Sequence, residues 1–197
     1  MRTKEGNKDK DILEAAIKVF AETGYHKSKI SKIAEIAGVA TGSVYVYYKS
    51  KEEILYRIFN DIWENLYHEL FKLTSNPSIP ALEKLDSMID LILDVFTQNP
   101  AMALVIVNEQ QNVQRTSVTH FTDYYEKFLD LATGVIQEGI KEGVISKNID
   151  LYVFRFYIFG AVRNILNNWA LNQKEFPLNK IRQSIKYFTK NGIIVHK

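Results

Sequence analysis

The sequence predicts an all-α protein: an N-terminal three-helix unit holding a helix-turn-helix, then a larger helical bundle, about nine helices in all. Three observations predict it. Nearly every long segment repeats its apolar residues at spacings of three and four, the helical period. Val, Ile and Phe runs sit inside those patterns instead of alternating between turn signals, so no strand is expected. Punctuation falls between segments, with Gly24, Gly38, Gly143 and Gly192 closing them and Pro100 and Pro177 opening them.

The elements follow in order. Asp11 to Thr23 carries a core-facing stripe of Ile12, Ala15, Ala16, Val19 and Phe20, and Gly24 supplies the residue that tolerates positive φ after it. A short second helix spans about Ile30–Ala37, with Ser28 as its expected cap, and Gly38-Val39 breaks it. A third covers about Thr41–Tyr47. Ser50 caps a long fourth, Ser50–Leu73, in a capping box with Glu53. Thr74–Pro80 holds two prolines among short polar residues and marks a break. Beyond it come Ala81–Thr97, Pro100 to about Asn112, about Ser117–Glu142, about Asp150–Asn172 capped by Asp150, and Leu178–Asn191 ending at Gly192. The expected division is a head over residues 1–50 and a body over 51–197.

Charge separates the two. The 197 residues carry a formal net charge of +2, but residues 1–51 hold 10 Lys and Arg against 6 Asp and Glu, leaving the remainder slightly acidic. A basic head on an acidic body suits contact with nucleic acid. With no cysteine there is no disulfide framework or thiolate chemistry. No apolar run approaches the roughly 20 residues that cross a bilayer, and MRTKEGNKDK lacks the apolar segment of a secretory signal. Cytoplasm, without membrane association, is the expected location. The four histidines are scattered, and no His-Glu-x-x-His pair, P-loop, nucleophile elbow or dinucleotide fingerprint occurs. Neither an enzyme nor a bound metal or cofactor is expected.

The informative block is residues 12–55. Two short helices joined at Gly38-Val39 form the unit whose second helix enters a DNA major groove. Thr41, Gly42 and Ser43 open that helix with small hydroxyls and uncovered backbone, where a helix N-terminus meets phosphate. Tyr45 and Tyr47 bring phenols that donate to phosphate oxygens or stack on sugar, while Lys49 and Lys51 are placed to neutralise backbone charge. Tyr48 and Val44 are expected in the core; Lys27, Lys29 and Lys32 read equally well as a solvated face or as lying near DNA.

Phe20-Ala21-Glu22-Thr23-Gly24-Tyr25, then Ile30 through Val39, and then Ala40-Thr41-Gly42-Ser43-Val44-Tyr45-Val46-Tyr47-Tyr48-Lys49-Ser50-Lys51 through Leu55 resemble the head of the TetR-type repressors. The resemblance implies Ser28 as a phosphate-contacting cap, Thr41, Gly42 and Ser43 facing bases and backbone, Tyr45 and Tyr47 touching phosphate or base edges, and Lys51 as a backbone anchor. Thr41 departs from the longer Lys, Arg or Gln frequent there. It can reach a thymine methyl or a phosphate but makes no bidentate guanine contact.

The Asp150–Asn172 segment is apolar nearly all round, so it must be covered on two sides. Family likeness implies a dimer built by this helix and the last one, through Phe154, Ile158, Val162, Trp169, Ile181, Ile185 and Phe188. A two-fold dimer presents paired recognition helices to a palindromic operator on double-stranded DNA. Phe96, Phe121, Tyr125, Phe128 and Phe159 suit either core or the wall of a ligand pocket. Arg155, Phe159 and Arg163 share one stripe amid apolar neighbours, where an unpaired cation is costly. The arginines pair with Glu109, Glu138 or Asp150, snorkel, or receive a ligand anion. Asn108-Glu109-Gln110-Gln111, Gln137-Glu138-Gly139-Ile140 with Gly143, Ile158-Phe159-Gly160, and Trp169 with Asn172 resemble the branch that senses long-chain fatty acyl-CoA. The reading is a ligand-responsive repressor, a homodimer released from its operator by a hydrophobic small molecule. The alternatives are a helical adaptor that never touches DNA and a drug-efflux regulator answering to planar hydrophobic compounds.

Overall fold

The computed structural model describes residues 8–116, 121–172 and 177–194, and side chains throughout these except at 111, 112, 114–116, 121 and 122. Those residues form α1 (Lys8–Thr23), α2 (Ile30–Ala37), α3 (Thr41–Tyr47), α4 (Lys51–Thr74), α5 (Ala81–Thr97), α6 (Pro100–Thr116), α7 (Phe121–Lys141), α8 (Leu151–Leu171) and α9 (Leu178–Ile193). Among them the only β pairing is an isolated bridge between Ile145 and Ile194.

The stops obey local chemistry. Gly24, Gly38 and Gly143 take φ of 75°, 69° and 74°, the left-handed conformation that ends a helix without a Cβ penalty. Ser50 Oγ accepts the Glu53 N–H at 3.2 Å, and the Glu53 carboxylate accepts the Lys49 N–H at 2.6 Å, one residue earlier than a standard capping box. Asp150 Oδ1 accepts the Val153 N–H at 2.9 Å. Two expected signals give way. Ser28 is not the cap of α2: Lys29 stands there without a side-chain bond, and Ser28 Oγ donates instead to the Tyr25 carbonyl at 2.5 Å. Gly192 does not end the last helix, which runs on to Ile193, where the Ser146 N–H donates to the Ile193 carbonyl at 2.8 Å. That backbone bond to the α7–α8 connection holds the two extra residues. The first four residues of the expected Ser117–Glu142 helix lie outside the described residues.

α4 runs along α7, while α1 packs on α2, α4 and α6. Buried side chains form one cluster from Ile12, Phe20 and Ile33 in the head, through Phe59, Leu66 and Leu70 of α4, to Val162 and Ile193. The head is therefore set firmly on the body. Gly139 shows how close the helices come: a Cβ there would lie 2.5 Å from Ile145 Cδ1 and 3.3 Å from Ala81 Cβ. α5 and α9 are joined by charge. Asp86, Asp90 and Asp94 face Lys190, Lys186 and Arg182, with Arg182 also reaching Asp90. Among the described residues no single helix is long and apolar enough to cross a membrane; α5 and the first part of α6 reach that composition only as a pair bent by 103°.

Candidate functional site

The head is organised around the turn between α1 and α2. Tyr25 is buried there against Phe20, edge to face at 5.5 Å. Lys51 Nζ, at the start of α4, donates to the carbonyls of Tyr25 (2.7 Å), Ser28 (3.1 Å) and His26 (3.2 Å), and lies 4.5 Å from the Tyr25 ring centroid. Burial and a hydrogen bond to the Glu52 carboxylate push the Tyr25 phenol far above its ordinary pKa. From the body, Glu109 of α6 accepts the Tyr25 backbone N–H at 3.4 Å. A second tie runs from the Tyr48 hydroxyl to the Asp9 carboxylate. These contacts fix α2 and α3 on α1 and α4.

What they leave free is the outer face of α3. Val44 and Tyr48 are buried as expected, while Thr41, Gly42, Tyr45, Tyr47 and Lys49 are exposed and Ser43 is half-buried. Tyr45 and Tyr47 remain 54% and 44% exposed, too open for core aromatics and available to a partner. Lys27, Lys29 and Lys49 are exposed with no carboxylate within salt-bridge distance among the described residues, whereas Lys32 is paired with Glu35 at 2.7 Å. Two expected contact residues face inward. Lys51 spends its ammonium on three carbonyls, and Ser28 is buried with its hydroxyl on Tyr25, so neither is presented beside α3.

Two of the cavities among the described residues of the body share a wall. The larger, about 300 Å³, lies among Trp63 of α4, Phe96, Ile106 and Gln110, Tyr125, and Phe156, Gly160 and Arg163 of α8. Its polar groups are few and clustered. Tyr125 is raised by burial, against a hydrogen bond with Gln110 and the positive charges of Arg155 and Arg163. Arg163 has no carboxylate within salt-bridge distance among the described residues. The Trp63 indole N–H is buried without an acceptor there. The smaller cavity, about 30 Å³, is walled by Leu85, Met88, Ile89, Ile136, Phe154 and other apolar side chains. Ile92, Phe159 and Val162 line both.

The expected pocket residues sort accordingly. Phe96, Tyr125, Phe159 and Arg163 line the larger cavity, and Arg155 and Phe159 the smaller. Arg155 is committed to Glu126 and Asp130, neither among its expected partners. Phe128 lines neither cavity but stands fully buried behind them, 5.6 Å from Trp63 and 5.9 Å from Phe159 between ring centroids. Glu109 belongs to the head contact, and the Phe121 side chain lies outside the described residues. Trp63 and Ile92 escaped the sequence reading because each also fits an ordinary core-facing stripe, and Gly160 entered it only within the Ile158-Phe159-Gly160 match.

α8 turns toward the bundle the residues that family likeness implied for the dimer. Phe154, Ile158 and Val162 turn inward onto the small cavity, and Trp169 is buried. The uncovered stripe is Tyr152, Val153, Phe156 and Tyr157, continued on α9 by Tyr187 and by Phe188, which is 71% exposed. Ile181 and Phe188 do lie along the outward groove between α8 and α9, with Ile185 buried at its floor.

A family model for the tetR family of bacterial regulatory proteins matches residues 12–58, and one for the C-terminal region of YsiA-like proteins matches 65–192. The chain belongs to the TetR family. It is 30% identical over 182 residues to the fatty acid metabolism regulator protein of Bacillus subtilis, covering 92% of this chain and 93% of that one. The crystal structure of the transcriptional regulator FadR from Bacillus subtilis in complex with stearoyl-CoA superposes with a TM-score of 0.78 at 29% identity, covering 95% of this chain and 100% of that one. The fatty acid degradation regulator FadR from Bacillus halodurans gives 0.78 at 26% identity, covering 93% and 98%. This TetR member is thus a transcriptional regulator with a DNA-binding helix-turn-helix head.

Proposed function

We propose that this protein is a homodimeric cytoplasmic repressor that grips a palindromic operator and is released by a long-chain fatty acyl-CoA. The observation that carries the reading is the larger of these two cavities: an apolar chamber with Arg163, which meets no carboxylate within salt-bridge distance among the described residues, and a polar trio of Gln110, Tyr125 and the Trp63 N–H. That combination suits a long apolar chain joined to an anionic, carbonyl-bearing head. The Bacillus subtilis FadR structure, solved with stearoyl-CoA, supports the same class.

At the other end, Thr41, Gly42, Ser43, Tyr45, Tyr47 and Lys49 are the residues we assign to DNA, with Lys27 and Lys29 alongside. Ser28 and Lys51 act by shaping the turn that carries them. Head (residues 1–50) and body (51–197) are joined by α4, whose Lys51 holds the head's turn and whose Trp63 walls the cavity. Association through Tyr152, Val153, Phe156, Tyr157 and Phe188 with the α8–α9 groove would cover the apolar surface that one chain leaves open, a surface larger than isolated exposed side chains account for. A planar hydrophobic drug has less use for Arg163, and an adaptor has none for the open face of α3.

The test is fluorescence anisotropy of the protein on its own upstream promoter DNA at two salt concentrations, with and without palmitoyl-CoA. The expected result is tight binding whose logarithm falls linearly with log salt, and release on adding palmitoyl-CoA. Binding that ignores palmitoyl-CoA but yields to a planar cationic dye would favour the drug-responsive reading.

A further inference from the structure

The two cavities are separated by side chains alone. Ile92, Phe159 and Val162 are the residues lining both, and Phe159 is the bulkiest of the three. The inner cavity is walled by aliphatic side chains and Phe154, together with Thr133, Thr189 and an Arg155 already held by Glu126 and Asp130. At about 30 Å³ it has room for about two water molecules, and its walls give water little to bond. A dry apolar space behind a single aromatic ring is suited to an alkyl chain that arrives from the other side. Phe159 also stands at the end of a row of rings: it meets Phe128 edge-on at 5.9 Å, and Phe128 meets Trp63 of α4 at 5.6 Å.

We infer that Phe159 is a length gate: acyl chains short enough to stay in the outer cavity leave it in place, and longer chains must swing it aside to enter the inner one. Swinging the ring presses Phe128, which is fully buried and has no free direction, against Trp63 on the helix that carries the head. Binding and signalling are thereby separated. Short chains occupy the site without moving α4, and long chains release DNA. This deepens the acyl-CoA reading above and rests on it.

The test is calorimetry and promoter release with octanoyl-, dodecanoyl-, palmitoyl- and stearoyl-CoA on the full-length protein, its Phe159→Ala variant and its Ala132→Leu variant, which fills the inner cavity. In the wild type, affinity should rise about fourfold per added methylene, the equivalent of about 0.8 kcal/mol, within each cavity, with a plateau where the chain meets the gate. DNA release should begin only past that plateau. Phe159→Ala should remove the plateau yet leave long chains bound and DNA held, because no ring transmits the push. Ala132→Leu should shift the affinity maximum to shorter chains. Should Ala132→Leu misfold by circular dichroism, Phe159→Ala decides alone. Smooth affinity through every length in the wild type, or normal release by Phe159→Ala, overturns the gate. If no acyl-CoA binds the wild type at all, the acyl-CoA reading itself has failed, and the gate with it.

Discussion

The turn at Tyr25 and the cavity at Arg163 treat polar groups in opposite ways. Around Tyr25 each has a partner: the phenol has Glu52, the N–H has Glu109, the carbonyl has Lys51 and Ser28. Around Arg163 the guanidinium faces no carboxylate among the described residues, and the Trp63 N–H is buried without an acceptor. A buried polar group left unpaired, as the Trp63 N–H is among the described residues, costs stability, and the half-buried Arg163 beside it is a charge open to a partner. A protein holds such groups where a ligand completes them, and closes them where shape must not change. The contrast sets a closed turn against an open cavity, and five perturbations probe it.

The largest effect is expected at the hub. Tyr25→Ala removes a buried aromatic and should cost about 3–5 kcal/mol of stability in urea unfolding; a loss below about 1 kcal/mol would show that the turn is not the organising point. Next is Lys51→Met, which keeps the aliphatic stem and removes a charge-assisted donor to three carbonyls, at a cost of about 2 kcal/mol. At low salt and temperature, where it stays folded, its DNA-binding salt slope should match the wild type. Lys49→Ala should do the reverse, leaving unfolding unchanged and lowering the slope by about one. If Lys51→Met lowered the slope instead, the ammonium would belong to DNA after all.

On the cavity side, Arg163→Met should leave the melting temperature nearly unchanged, since the half-buried guanidinium meets no carboxylate within salt-bridge distance among the described residues, while palmitoyl-CoA affinity falls about tenfold or more through loss of a charge-assisted bond. A melting temperature several degrees lower would mean Arg163 is structural. The smallest effect concerns the α5–α9 charges. Burial raises Asp90, but hydrogen bonds from Lys186 and Arg182 outweigh it and hold the carboxyl below its ordinary value. Its contribution is therefore present above the unfolded carboxylate pKa of about 3.9 and fades as pH falls through the lower folded value. Asp90→Asn should thus lower stability modestly at pH 7 and match the wild type below about pH 2, which flattens the acid limb between about pH 4 and 2.

Most of the fold was legible because helix period and punctuation are local. Asp150, Ser50 and the positive-φ glycines act within four residues of where they stand. What misled was tertiary. Ser28 reads as a cap, but the Tyr25 carbonyl, brought round by the turn, takes its hydroxyl. Lys51 reads as a phosphate anchor because the sequence does not reveal that α4 starts beneath the α1–α2 turn. On α8 both stripes are apolar, so periodicity identified two faces and could not say which met the bundle. Only packing shows that Phe154 and Ile158 turn in while Phe156 and Tyr157 turn out. The short helix Thr41–Tyr47 stood out for the opposite reason: a single buried residue, Val44, ties it to the core, and the rest of its surface is left open. Trp63 was invisible as a site residue, since an unpaired N–H is a property of the folded wall alone.

The central claim is that operator and effector bind at the expense of one another. Palmitoyl-CoA affinity measured by calorimetry, without DNA and with saturating operator duplex, tests it most directly. The account predicts weaker palmitoyl-CoA binding on the DNA-bound protein, by the same factor by which palmitoyl-CoA weakens DNA binding, as linkage requires. Equal affinity in both states would contradict it.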